Sequence, residues 1–486
     1  MNANVPPIIP EATGLAKSPV HPQKRLGPSR LNEILFAPIK LFVGMALCQS
    51  ILGSLAVLGW TYRFMQRAVL KRWWRVADQR QAAQRFADFV TEDSSARPHW
   101  SWLLKLWWRL VDQHRAAQRF AGFVASDSQT CEHLHWPNWF LAQNFREAAK
   151  RSPDSSFGKY VLTLVQNVLV SFWTNVRIGV QGIFNTWVLT LPGGILWLFA
   201  WFAGWNNSFN KGYEQAWIGP ATGFAGILLF IGAMLYVPLA QARQAVTGDW
   251  RRFYDFRLVW TLIRRHWRAC LGLALLYSLC SIPIVVLIVL PSSFQQISPA
   301  LNDVTTDDVQ TIVWTLRRYF FWSALVALPA FVLVRFVAAR IYGSAVLKAV
   351  QSGGIAEDVL AESEWQALHR LGLLQIQPAR QRHPVVRAIA WAATRAGRIT
   401  FGIATSLIWF TFVSQVFIAQ FFSYHTGPTL WLNNPLVQLP WLLHLPAWLR
   451  NPWSEIALVA LLVFVCWRLK KATLWVKSVR RSSGSG

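Results

Sequence analysis

The sequence predicts an all-α fold: a polytopic helical integral membrane protein with six or seven transmembrane helices and amphipathic cytoplasmic helices. Three observations predict it. Of 486 residues, 53% are hydrophobic and only 14% charged, against about 25% charged in soluble domains. Seven apolar runs are long enough, or nearly so, to cross about 30 Å of hydrocarbon. The segments between them alternate in charge. The net charge of +26 therefore sits on an apolar, Trp- and Phe-rich background. That excludes a disordered polybasic chain and argues against a soluble nucleic-acid-binding protein.

Residues 1–33 are polar and Pro-rich and read as a disordered tail without a cleavable signal peptide. Segment 34–67 holds the first apolar run, 41–60. Its Gly44, Gln49, Ser50, Gly53 and Gly59 permit a bent or re-entrant course, but a crossing is expected. Segment 68–156 is a basic, Trp-rich cytoplasmic region. Segment 157–343 opens with a stretch, 157–182, that is too polar to span and is expected along the cytoplasmic face. Four spans come after it, at 183–205, 221–240, 270–290 and 319–339. Segment 344–399 is a cytoplasmic helical loop. Segment 400–481 holds two more spans, 401–422 and 452–469, separated by an outer region. Residues 482–486 (Ser-Ser-Gly-Ser-Gly) read as an appended linker.

Charge sets the orientation. Segments 61–182, 241–269, 340–400 and the tail from Arg468 carry +8, +5, +4 and +6; the alternate segments 206–219, 291–318 and 423–451 carry 0, −1 and +1. By the positive-inside rule the basic set is cytoplasmic, as is the C-terminus, and the expected location is a bacterial inner membrane. The N-terminal 40 residues are net +3 and favour that side too, which leaves the side of the N-terminus in conflict with a crossing at 41–60.

The cytoplasmic region contains a duplication. KRWWRVADQRQAAQRFADFV at 71–90 returns at 105–124 as KLWWRLVDQHRAAQRFAGFV, with 14 of 20 positions identical. Trp73, Val76, Ala83, Phe86 and Val90 recur at helical steps and form one stripe. Two uses compete for it. The copies can pack on each other as a helical hairpin. Alternatively Trp73, Trp74, Trp107 and Trp108, with Arg75 and Arg109, can anchor the helices among anionic phospholipid headgroups.

Charged groups inside spans are expensive and usually functional, and the sequence places none deep in a run. Arg335 is read one turn from the cytoplasmic end of 319–339, where it can snorkel. Candidate cavity-lining positions are the breaker Pro192-Gly193-Gly194, Pro283 and Pro329, each of which frees a carbonyl, and the polar pair Thr411 and Gln415. Kinks satisfied by neighbours and interhelical hydrogen bonds are the plainer readings. The outer region 430–449 is apolar but broken by Pro435, Pro440 and Pro446, and reads as interfacial or re-entrant. Asp303, Asp307 and Asp308 read as a solvated outer loop.

The five cysteines form no CxxC pair, and the Cys131-Glu-His-Leu-His135 stretch lacks a second ligand pair. Glu362 and Glu364 read as first-turn acids of a helix. Nucleotide, hydrolase and metalloprotease motifs are not found, so no catalytic residue, cofactor or metal is expected. The functional expectation is a non-enzymatic subunit or scaffold of a membrane complex, with anionic lipid and a protein partner or second copy as its contacts and no nucleic acid. The alternative is a passive channel or transporter for a neutral solute or lipid.

Overall fold

The computed structural model describes residues 37–92, 119–120, 157–210, 217–297, 306–355, 359–374, 384–422 and 433–441, and every regular element among them is helical. In chain order these are α1 (Ala37–Leu47), α2 (Ile51–Glu92), α3 (Phe157–Asn210), α4 (Ile218–Thr247), a 3-10 turn (Trp250–Tyr254), α5 (Phe256–Arg265), α6 (Trp267–Ile297), α7 (Thr306–Gln351), α8 (Glu362–Arg370) and α9 (Pro384–Phe422). Five stretches among them are long and apolar enough to cross a membrane: Val168–Ala200, Ile218–Thr247, Trp267–Pro291, Arg318–Gln351 and Ala388–Val416. These overlap the expected spans 183–205, 221–240, 270–290, 319–339 and 401–422. The run at 452–469 lies outside the described residues.

The first apolar run is not one helix. A turn at Cys48-Gln49-Ser50 separates α1 from α2, and Ser50 Oγ accepts the Gly53 N–H at 3.0 Å as an N-cap does. The run over 41–60 therefore takes the bent course that its Gly44, Gln49, Ser50, Gly53 and Gly59 permit. The pair nonetheless tracks α7. Phe42 stands 5.5 Å from Phe321, Phe64 stands 5.5 Å from Phe336, and Trp73 Nε1 donates to the Gly343 carbonyl at 2.8 Å. These contacts advance in the same direction along both segments, over most of the α7 apolar stretch. Cys48 at the bend is 2% exposed, so its sulfur meets neither water nor reagent. Because reactivity needs an accessible thiolate, native protein at neutral pH should leave Cys48 unlabelled by maleimide while denatured protein labels it fully, as peptide mass spectrometry would show.

The stretch 157–182 corrects a second expectation. It runs without a break into the next span as a single 54-residue helix, and the apolar stretch already begins at Val168. Its polarity misleads because Asn175 is turned inward against α2 and fully buried, while Val170 and Trp173 face out. The helix also continues through Pro192. That ring is on the outer face, and Gly193 beside it packs against α4. A Cβ on Gly193 would stand 2.8 Å from the Gly226 carbonyl oxygen and 2.9 Å from the Phe230 nitrogen, and a Cβ on Gly226 would stand 2.8 Å from the Gly193 carbonyl. Pro-Gly-Gly thus permits close helix crossing rather than opening a cavity. Gly193→Leu should force α3 and α4 apart and cost about 1–3 kcal/mol, read as a lower melting temperature in detergent.

Residues of the duplicated stretch pack on protein. Trp73 is fully buried, and Trp74, 8% exposed, lies 5.3 Å from Phe120. Arg119 Nε and Nη2 donate to the two carboxylate oxygens of Asp78 at 3.1 and 3.2 Å. Phe120 and Arg119 belong to the second copy, Trp74 and Asp78 to the first. The headgroup-anchoring role is therefore corrected for Trp73 and Trp74, whose rings are committed to the bundle. Arg75 is exposed, while Trp107, Trp108 and Arg109 lie outside the described residues. Trp73→Phe should keep the ring packing but lose the indole N–H bond to the Gly343 carbonyl, costing about 1 kcal/mol in a thermal unfolding series.

Candidate functional site

Among the described residues the bundle encloses two fully buried arginines, and neither is at an exposed helix end. Arg335 lies near the middle of the Arg318–Gln351 stretch and is 0% exposed. The snorkelling expectation is thereby corrected: α7 remains helical well beyond 339, to Gln351, so the end of the helix is not one turn away. Instead the guanidinium meets backbone. Nη1 donates to the Leu436 carbonyl at 2.9 Å, and Nη2 donates to Val437 at 3.0 Å and Gln438 at 3.4 Å. Its Cζ stands 3.5 Å from the centroid of the Phe331 ring.

Those carbonyls belong to residues 433–441, a non-helical turn buried among the helices. The sequence makes this turn. Pro435 supplies no N–H, and Asn434 and Asn433 bend the chain by accepting the N–H groups of Leu436 (3.0 Å) and Leu439 (2.8 Å) on their side-chain oxygens. Gln438 Oε1 in turn accepts the Asn434 N–H at 2.5 Å, and its Nε2 donates to Thr190 Oγ1 at 3.2 Å. Irregular backbone away from water must satisfy its own polar groups, and here side chains and Arg335 do so.

Thr190 belongs to a polar ladder on α3. Thr186 Oγ1 accepts from Gln241 Nε2 at 2.9 Å, and Asn185 Nδ2 donates to Gln244 Oε1 at 3.0 Å and to the Trp250 carbonyl at 2.7 Å. The second arginine, Arg243 on α4, is 0% exposed. Its Nε and Nη2 donate to Asp255 Oδ2 at 2.8 and 2.6 Å, and its Nη1 donates to Glu364 Oε2 at 3.0 Å. Tyr342 OH donates to Glu364 Oε1 at 2.5 Å, and Glu364 Oε2 also accepts the Ala361 N–H at 3.1 Å. Glu364 is thus a buried counter-ion as well as a first-turn acid. The two roles coincide because one carboxylate has enough lone pairs for both.

The expected cavity-lining residues do not converge. Pro192, Pro283, Pro329 and Thr411 lie on the outer surface of the bundle, Gly193 and Gly194 are buried in packed helix, and Gln415 accepts from Ser281 Oγ of α6. A recess at the threaded turn has a cavity volume of only about 10 Å³ and is lined chiefly by apolar atoms of Ile284, Val285, Ile288, Val416 and Leu436. That is room for about one water, far below the roughly 300–1,000 Å³ typical of ligand pockets. Chemically, the guanidinium on three carbonyls is a clamp, and the Arg243 cluster is a paired charge. Among the described residues no group of three or more His, Cys, Asp and Glu is placed to hold a metal ion. Asp303, Cys131, His133 and His135 lie outside the described residues.

Sequence reasoning missed the Arg335 clamp and the Arg243–Glu364 pair. A usable signal existed for the first: Asn433, Asn434 and Gln438 are three amides within six residues of an otherwise apolar, Pro-broken segment. Comparison with family models, with curated proteins and with solved structures finds no match to this chain.

Proposed function

We propose that this chain is a non-enzymatic, multi-pass protein of the bacterial cytoplasmic membrane, acting as a subunit or scaffold of a membrane complex with its basic segments inside. The observation that carries the reading is where the interior polar groups go. Arg335 is bound to the backbone of the same chain, Arg243 to its own carboxylates, and the three prolines that would line a path face outward. Transport by alternating access places substrate against free polar groups of broken helices at the midplane. Here a broken segment of the same chain meets both terminal nitrogens of Arg335, although Arg335 Nε and the Asn175 amide are buried without a hydrogen-bond partner among the described residues.

The test is the native mass of the protein extracted in mild detergent, with mass-spectrometric identification of what co-purifies, beside solute release from proteoliposomes. A second polypeptide in fixed stoichiometry, with no solute release, is the expected result. A lone or closed homo-oligomeric species that releases a neutral solute would replace this reading with a channel or transporter.

A further inference from the structure

We infer that the connection between α4 and α6 is a binding site for anionic phospholipid headgroups; this rests on the membrane reading above. The segment runs from Gly248 to His266, between the ends of two helices long and apolar enough to cross a membrane, so it stands at the bundle end where such helices meet headgroups. It is firmly anchored. Phe253 is fully buried and its carbonyl accepts from Tyr236 OH, while Leu258, Val259, Leu262 and Ile263 of α5 face the core.

The opposite face is unusual for one meeting only water. It exposes Trp250, Phe256 and Trp260 at 38%, 45% and 36%, although the helix has already buried a full apolar face. Interleaved with these rings are Arg251, Arg257, Arg264 and Arg268, all exposed and none within ion-pair distance of a carboxylate among the described residues. The carboxylates of the segment are engaged elsewhere. Asp255 faces Arg243, and Asp249 Oδ1 accepts the Arg251 N–H at 3.0 Å. From neighbouring elements the face receives more positive charge: Trp267 packs 3.9 Å from Phe401 on α9, one turn from exposed Arg398. Aromatic rings at headgroup depth with unpaired guanidinium groups beside them match an anionic leaflet in both polarity and charge. Guanidinium groups also suit phosphate oxygens geometrically. This places the lipid-facing surface here, instead of at Trp73 and Trp74.

The experiment uses the full-length protein in nonionic detergent, titrated with phosphatidylglycerol or phosphatidylcholine and read by native mass spectrometry and melting temperature. Wild type should bind and be stabilised by phosphatidylglycerol in preference to phosphatidylcholine, with the preference falling as salt rises. At about fivefold per arginine, the triple variant Arg251→Gln, Arg257→Gln, Arg264→Gln should lose roughly 100-fold in apparent affinity for phosphatidylglycerol. Trp260→Ala should weaken binding while leaving the salt dependence intact. An unchanged phosphatidylglycerol preference in the triple variant overturns the site, as does equal stabilisation by inorganic phosphate or by a DNA duplex in place of lipid. Those outcomes leave the complex-subunit reading standing, whereas co-purification and solute release test that reading without touching these residues.

Discussion

Arg335→Leu should lower the melting temperature of the detergent-extracted protein more than any other single substitution in the bundle. Leucine fills the space next to Phe331 but leaves the carbonyls of Leu436, Val437 and Gln438 without their charged donor. Bonds to a charged group contribute about 1.5–3 kcal/mol each at best, and buried orphaned acceptors cost about 1–3 kcal/mol, so a net loss of several kcal/mol is expected. Arg335→Lys should recover only part of it. An ammonium group is a point donor and cannot bridge three carbonyls fanned across a planar fork. Hydrogen exchange at 433–441 separates this account from general damage: backbone protection there should fall first. Equal loss of protection across α3 and α4 would refute the clamp.

The second large effect is expected at Glu364. Glu364→Gln keeps the shape yet leaves Arg243 buried with one carboxylate, Asp255, in place of two. Breaking a buried pair by removing one partner typically costs about 3–5 kcal/mol. The double variant Arg243→Met, Glu364→Leu should be less damaging than the single one, since no unpaired charge remains in the core. Melting curves of Arg243→Met, Glu364→Leu and the double variant, compared with wild type as a double-mutant cycle, measure the coupling. Simple additivity would show that the pair contributes nothing specific.

Much of the architecture is legible in the sequence because apolar run length is a property of the chain alone. The runs at 183–205, 221–240, 270–290, 319–339 and 401–422 all fall on helices able to cross a membrane. What run length cannot convey is which way a helix is turned. Thr411 and Gln415 share a face by spacing, yet only Gln415 meets α6, while Thr411 returns its hydroxyl to the Leu407 carbonyl at 3.1 Å. In the sequence Asn175 and Gly193 signify polarity and breakage, whereas packing against α2 and α4 gives each its meaning. Arg335 is misplaced by its sequence context for a related reason. Its partners are backbone carbonyls, which every residue carries, so no side-chain pattern announces them.

The Arg335 clamp also has a consequence for how the protein is made. The guanidinium and the Leu436 carbonyl are 101 residues apart in the chain. At about 5–20 residues per second, the ribosome delivers the second partner on the order of 5–20 seconds after the first. On the membrane reading proposed above, α7 carries throughout that interval a cation whose insertion alone costs roughly 3 kcal/mol at a bilayer centre. Chains terminated before residue 436 never acquire the acceptors. Chains that stop before residue 436 should therefore be degraded faster by membrane proteases than full-length chains, as a pulse-chase comparison of the two would show.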